Sequence, residues 1–331
     1  MHLGTWLHLL PGSAAEIDAV VDGLAARGIT TLITMFKSWT GTIYFPSAVA
    51  YTEPGFAAED LYGRLIARCH ERGMAFEAWS CVFPEAGPSK LIDAHPACRA
   101  LRKDGTEYRV EGNGIAWACP ARAETQAHEL AAFREVLARY PTLDALHLDY
   151  IRYPDTDACY CPACQTEFRE QYGFNLLEDV MPGGWEGPAF DAYVRWRTGH
   201  ITRFVENVAD LAHGAGKALT AAVFPYYPSI MFDLGQDWAE WCRRGLLDAV
   251  YPMNYNWSPL MVGRYTDLAA HLLRPTRTLH CQGLGLKDAM TADDVRALAQ
   301  SALDHGAEGI ILFEARTLLK LPEATLAPFR A

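Results

Sequence analysis

Short apolar segments with a period of two, or unbroken branched residues, alternate along this chain with longer segments whose apolar positions recur every three to four residues. His2 to His8 reads as a first strand; Ser13, with Glu16 three positions on, caps an amphipathic helix ending near Gly28. Ile29 to Lys37 is a second strand, and the loop GTIYFPSAVAYTEPG leads to a helix from Ala57 to Arg72 that Gly73 stops. Met74 to Val82 is a third. A long connection with a turn at Lys103-Asp104-Gly105 precedes a helix from about Ala123 to Ala138. The fourth strand runs through DALHLDYIRYPD, from Asp144 to Asp155, and is followed by a Cys-rich loop, a helix beginning near Cys164, the loop MPGGWEGP and a long helix from about Ala189 to His213. Lys217 to Phe224, Leu247 to Tyr255, Thr278 to Leu284 and Gly309 to Glu314 are strands five to eight. Helices are expected from Gln236 to Arg244, after Thr291, where Asp293 and Asp294 suit a first turn, and at the end of the chain. Eight alternations without a linker or low-complexity tract predict an α/β fold, a single-domain (β/α)8 TIM barrel over 1–331 with extended βα loops. An open doubly wound sheet is the alternative.

The fourth strand departs from the continuous Val/Ile/Leu of a buried parallel strand. Leu146, Leu148 and Tyr150 fall on one side of it, and Ala145, His147, Asp149 and Ile151 on the other. Pro154 cannot continue a ladder, so Asp149 and Arg152 fall at the carboxyl end of the strand, the edge where barrels carry active sites. Taking the more polar side of each strand as inward adds Trp6 and His8, Glu77 and Trp79, Tyr251, Met253 and Tyr255, His280 and Gln282, and Glu314, with Lys37 ending strand two. Any one of these is as easily a hydrogen-bonded core residue.

Aromatics with carboxylates at a barrel mouth suit sugars, whose apolar ring faces stack on Trp or Tyr. Glycoside hydrolysis needs an acid for the leaving oxygen and a nucleophile, a base or an assisting group of the substrate. Asp149 is the expected acid, because its apolar strand raises its pKa; Glu314, ending GIILFE, is the expected partner and Glu77 the reserve. Asp144 belongs to the opposite end and to structure.

A net charge of -11, with no cluster of Lys or Arg, speaks against a nucleic-acid surface. No apolar run reaches the roughly 18 residues that span a bilayer. MHLGTWLHLLPG lacks a basic start, a long apolar run and a cleavage site, and reads as a strand; the expectation is a cytoplasmic protein if the chain is complete, a secreted one if a leader was trimmed. Of nine cysteines, six are scattered. The other three form C-x-C-x-x-C at Cys159, Cys161 and Cys164, a spacing that wraps Zn with a fourth ligand from elsewhere. Metal binding, a local disulfide and unlinked thiols all stay open, and a bound Zn would be structural.

DALHLDYIRYP resembles the strand-four signature of the glycosyl-hydrolase-like 10 family, D-G-(I/L)-H-(L/F)-D-Y-x-R-Y-P. IYFPS, from Ile43 to Ser47, is similar to that family's Y-Y-P-S, and EAWSCVF to its H-A-W segment, with Glu77 where a His is common. GQDWAEWCRRGLLDAVYPMNY, from Gly235 to Tyr255, resembles its Q-D-W helix start and P-x-x-Y strand. The resemblance implies a TIM barrel and a glycoside hydrolase. A looser similarity links Met253-Asn254-Tyr255 to the M-x-Y of TIM-barrel chitinases, although Ile151 stands where their catalytic Glu falls. The expectation is therefore a hydrolase of an oligo- or polysaccharide with no cofactor in its chemistry. Its catalytic residues would be Asp149, Glu314 and Glu77, and its substrate-binding residues Trp6, His8, Lys37, Trp79, His147, Arg152, Asp237, Asn254, Tyr255 and Gln282. Asp237, opening a helix, is expected to serve position more than chemistry. The rival is a carbohydrate-binding barrel without catalysis. Two carboxylates facing one cleft favour the enzyme; a lone Asp149 favours the binder or a substrate-assisted reaction.

Overall fold

Eight parallel strands close into one barrel in chain order: β1 (His2–Leu7), β2 (Thr31–Lys37), β3 (Ala75–Cys81), β4 (Ala145–Asp149), β5 (Ala218–Val223), β6 (Ala249–Asn254), β7 (Leu279–Gly285) and β8 (Gly309–Phe313). Closure joins β1 to β8, from His2 opposite Gly309 to Trp6 opposite Phe313. The structure, a computed structural model, describes residues 1–330. Helices α1 (Ala14–Ala26), α2 (Leu61–Glu71), α3 (Lys90–Ala94), α4 (Ala123–Arg139), α5 (Pro162–Tyr172), α6 (Phe190–Gly214), α7 (Ser229–Leu234), α8 (Trp238–Arg243), α9 (Pro259–Leu273), α10 (Ala292–Asp304) and α11 (Ala315–Lys320) occupy the connections. A sheet closed on itself has no edge, and the helices cover its outside, so the strands are buried on both faces. No helix among the described residues is long and apolar enough to cross a membrane.

Helix α9 is not anticipated by the sequence reading, which passes from the strand ending at Tyr255 to the one starting at Thr278; its buried face is Val262, Gly263, Thr266, Ala269 and Leu273. Thr266 returns its hydroxyl to the Val262 carbonyl and also reaches Gln282, which suits a close helix-to-strand contact. The helix expected at Ala57 begins four residues later, where the Asp60 carboxylate accepts from the Gly63 N–H.

Alternation predicts inward residues correctly on β1, β3, β4 and β6 and fails on β2, β7 and β8, where Phe313 and not Glu314 faces the cavity. In β2 the register with β3 shifts between Met35 and Lys37, and the shift carries Lys37 behind the barrel wall instead of to its mouth. The Lys37 ammonium is fully buried there, 2.8 Å from Glu85 and 3.0 Å from Glu129 of α4, and donates to the Cys81 and Val82 carbonyls. Burial works against its charge, but Glu129 and Glu85 outweigh it and raise its pKa. Burial and the repulsion of Glu85 push Glu129 up against the pull of Lys37. Gly41 allows this packing, since a Cβ there would collide with the Glu85 carboxylate. On β7 the polar side faces outward: Gln282 donates to the Pro252 carbonyl and accepts from Thr266 of α9. The inward side there is small, with Gly283 against the Trp6 ring. Lys37 and Gln282 are therefore framework residues and do not reach a substrate.

The buried charge cluster makes a sharp expectation. Lys37→Met leaves two buried carboxylates without their cation and should cost roughly 3–5 kcal/mol of stability, read as a fall in the urea midpoint at pH 7. A loss below about 1 kcal/mol, the scale of an exposed ion pair, would contradict the assignment.

Candidate active site

The carboxyl ends of the strands enclose a cavity of about 290 Å³ lined by aromatic side chains and a single acid. Strand β4 supplies that acid. It stops at Asp149, because Tyr150 turns to a positive φ of 51° and its N–H donates to Asp149 Oδ1 at 2.6 Å. The reversal breaks the alternation that would have put Tyr150 on the opposite side from Asp149, and both line the cavity. Burial raises the Asp149 pKa, while His147, the Tyr150 N–H and Arg152 pull against it.

Around Asp149 stand His8 from the end of β1, Trp79 and Cys81 from β3, Met253 and Tyr255 from β6 and Phe313 from β8. Tyr255 stacks on Phe313 with ring centroids 5.5 Å apart, and a side chain at Gly285 would press on its ring. The Trp79 indole N–H is buried at the wall and faces the Asp149 carboxyl group, whose charged form it favours. Burial lowers the His8 pKa, against Glu314 and Asp149, and so favours the neutral imidazole. Arg152 makes no ion pair among the described residues; its guanidinium lies about 5 Å from the Trp117, Tyr150 and Phe224 ring centroids and donates to the Tyr153 and Pro154 carbonyls. Five of the expected site residues, His8, Trp79, Asp149, Arg152 and Tyr255, thus share one cavity.

The other expected residues lie elsewhere. Trp6, Glu77 and His147 form the layer beneath the cavity. The Trp6 indole donates to His147 Nε2 at 3.1 Å, so His147 carries its proton on Nδ1 and donates to Thr220 at 2.7 Å. Thr220 then donates to one Glu77 oxygen at 2.6 Å, and the Tyr251 hydroxyl to the other at 2.7 Å. Burial opposes the Glu77 charge, but these neighbours outweigh it and hold its pKa below the ordinary value. With both oxygens engaged below the cavity, Glu77 is an anchor of the barrel interior rather than a reserve acid. Glu314 turns its carboxylate to the Thr317 N–H as the cap of α11, and does not line the cavity. Asn254 is fully buried and donates to the Val262 carbonyl. Asp237 caps α8 through the Glu240 N–H and accepts from Tyr227, as its sequence position suggests, and lines no part of the cavity.

Sequence reasoning missed Trp39, Cys81, Tyr150, Phe224, Tyr226 and Phe313 as lining residues. Most sit just beyond a strand end, where alternation no longer applies; the clustering of aromatics within a few residues of each strand end was the available signal. It also missed Cys119, whose thiol joins Cys159, Cys161 and Cys164 in one buried group.

A closed parallel barrel with an acid set among aromatic rings at the carboxyl ends of its strands defines a glycoside-hydrolase-like barrel. Residues 9–289 match the glycosyl hydrolase-like 10 family, and the chain belongs to that family. Among solved structures, the PgaB (BpsB) glycoside hydrolase domain from Bordetella bronchiseptica is similar at a TM-score of 0.76 and 13% identity, over 100% of this chain and 98% of that one. The catalytic domain of the Paenibacillus polymyxa β-amylase is similar at 0.66 and 12% identity, over 100% and 98%. The β-galactosidase from Bacillus circulans sp. alkalophilus gives 0.68 and 16%, over 95% of this chain and 50% of that one. No curated protein matches the chain significantly.

The helix-capping role of Asp237 is open to a direct check. Asp237→Ala should lower stability by about 0.5–2 kcal/mol and leave carbohydrate binding unchanged, measured by thermal melting and by titration of the cavity tryptophan fluorescence. Lost binding at unchanged melting temperature would return Asp237 to the site.

Proposed function

We propose that this protein cleaves O-glycosidic bonds of an oligo- or polysaccharide, with Asp149 as the proton donor. The observation that carries the reading is that Asp149 is the one carboxylate among the described residues that lines the aromatic cavity at the barrel mouth. Membership of a glycosyl hydrolase-like family supports it. Trp39, Trp79, Tyr226 and Tyr255 offer apolar faces to sugar rings, while Arg152 offers donors to hydroxyls.

Retaining and inverting mechanisms with two carboxylates need the second roughly 5–9.5 Å from the first. With Glu77 below the floor and Glu314 turned to a helix end, no other acid among the described residues lines the cavity. The reading is completed by an internal nucleophile of the substrate. Asp149 gives its proton to the glycosidic oxygen as the C1–O bond breaks and its electron pair leaves with the alcohol. A neighbouring carbonyl oxygen of the sugar closes onto C1. Water then opens that ring and returns a proton to Asp149. The lone acid equally favours a second reading, a carbohydrate-binding barrel without turnover.

The two readings separate experimentally. Asp149→Asn should reduce hydrolysis of natural glycans by at least about 10²-fold while sparing an activated aryl glycoside far more, since a good leaving group needs little protonation. Sugar binding with no hydrolysis by the unaltered protein across a polysaccharide panel would select the binder.

The pH dependence supplies an independent check. A general acid works below its pKa, so kcat/KM should fall as pH rises through that of Asp149. Because the Arg152 charge pulls this pKa down, Arg152→Gln should move the alkaline limb to higher pH. A limb that stays in place or moves down would show that Asp149 does not set it.

A further inference from the structure

We propose that Cys119, Cys159, Cys161 and Cys164 bind one Zn²⁺, which ties the loop after β3 to the loop after β4, and that the buried Arg197 supplies the counter-charge for this centre. The four thiols come from two segments far apart in the chain: Cys119 lies shortly before α4, Cys159 and Cys161 follow β4, and Cys164 opens α5. Their sulfurs all lie within 4.8 Å of one another, with Cys119 to Cys164 at 3.4 Å and Cys161 to Cys164 at 3.5 Å. Zn–S bonds of about 2.3 Å at tetrahedral angles place sulfurs about 3.8 Å apart, so the group is close to the dimensions of a closed zinc site. All four cysteines are buried and none is disulfide-bonded. Four protein sulfurs fill the coordination sphere and leave no open position for water, which makes the centre structural.

A second observation points the same way. Four thiolates and one Zn²⁺ carry two negative charges, and a buried charge needs an opposite one nearby. Arg197 of α6 is fully buried and makes no ion pair among the described residues. It packs over Tyr153 and Tyr193; one terminal nitrogen donates to the carbonyls of Asp155 and Ala158, the residue before Cys159, the other to those of Phe232 and Asp233 in α7, and its Nε has no partner. A buried cation hydrogen-bonded to backbone carbonyls, with Asp233 acting on it only beyond ion-pair distance, is under-compensated alone and is balanced beside a zinc tetrathiolate.

Loading replaces four S–H bonds by four S–Zn bonds and releases four protons to solvent, with no change of oxidation state. The tie also reaches the cavity wall. Trp117, two residues before Cys119, donates to the Arg152 carbonyl at 3.3 Å and lies under the Arg152 guanidinium. Metal binding therefore holds the Trp117 and Arg152 sides of the two loops in register.

Purified protein should contain about one zinc per chain by elemental analysis. Stripped with chelator at mildly acidic pH under reducing conditions, it should take up one Co²⁺ with intense thiolate-to-cobalt absorption and tetrahedral d–d bands. The protein as isolated, denatured with chelator but without reductant, should show all nine thiols. Arg197→Met should weaken zinc about 10–100-fold, as loss of an outer-shell partner does, with Arg197→Lys restoring part of the affinity. Failure of reduced apoprotein to bind Co²⁺ through sulfur, or only seven or five reactive thiols as isolated, would overturn the metal site. Unchanged zinc affinity in Arg197→Met would overturn the counter-charge. These readouts use the full chain and do not depend on any glycosidase activity.

Discussion

The hydrogen-bond chain from Trp6 through His147 and Thr220 to Glu77, closed by Tyr251, is the constraint on which the rest of this barrel depends. Its five members stand on β1, β4, β5, β3 and β6. A barrel interior filled with branched aliphatics specifies volume but little rotation of one strand against another. Here each donor has one acceptor, and shifting any of the five strands by two residues would strand a buried polar group at a cost of about 1–3 kcal/mol. The network is therefore a register device as well as a floor. It puts Asp149, two positions above His147, at a defined height under the aromatic wall.

The same device explains why much of the fold was legible from the chain and the site was legible only in part. Alternation identifies Trp6, Glu77, His147 and Tyr251 as inward, and the structure places them inward. What alternation cannot supply is the layer. Glu77 and Asp149 are both inward acids at strand positions, yet one is enclosed by hydroxyl donors and the other looks into the cavity. Nor can a period of two survive a shift of register, as at Met35 to Lys37, or a left-handed residue, as at Tyr150. On β7 the rule that polar means inward fails because the space is already taken by the Trp6 ring, which only glycine at 283 admits.

The loops carry the rest of the information and are the least periodic part of the chain. Cys119 has no sequence neighbour that marks it as a partner of the C-x-C-x-x-C group; only the fold of the long connection after β3 brings it there. Trp117 and Arg152 likewise meet across two loops. The barrel sets the height of the chemistry, and these crossings set its walls.

The contact between Tyr150 and Asp149 has a stereochemical consequence. Because the Tyr150 N–H is directed at Oδ1, a proton on this carboxyl group belongs on Oδ2, and the group cannot present its two oxygens interchangeably. On the mechanism proposed above, the leaving oxygen would then have to approach from the side that Oδ2 faces, so that the backbone turn ending one strand would set the direction of proton delivery.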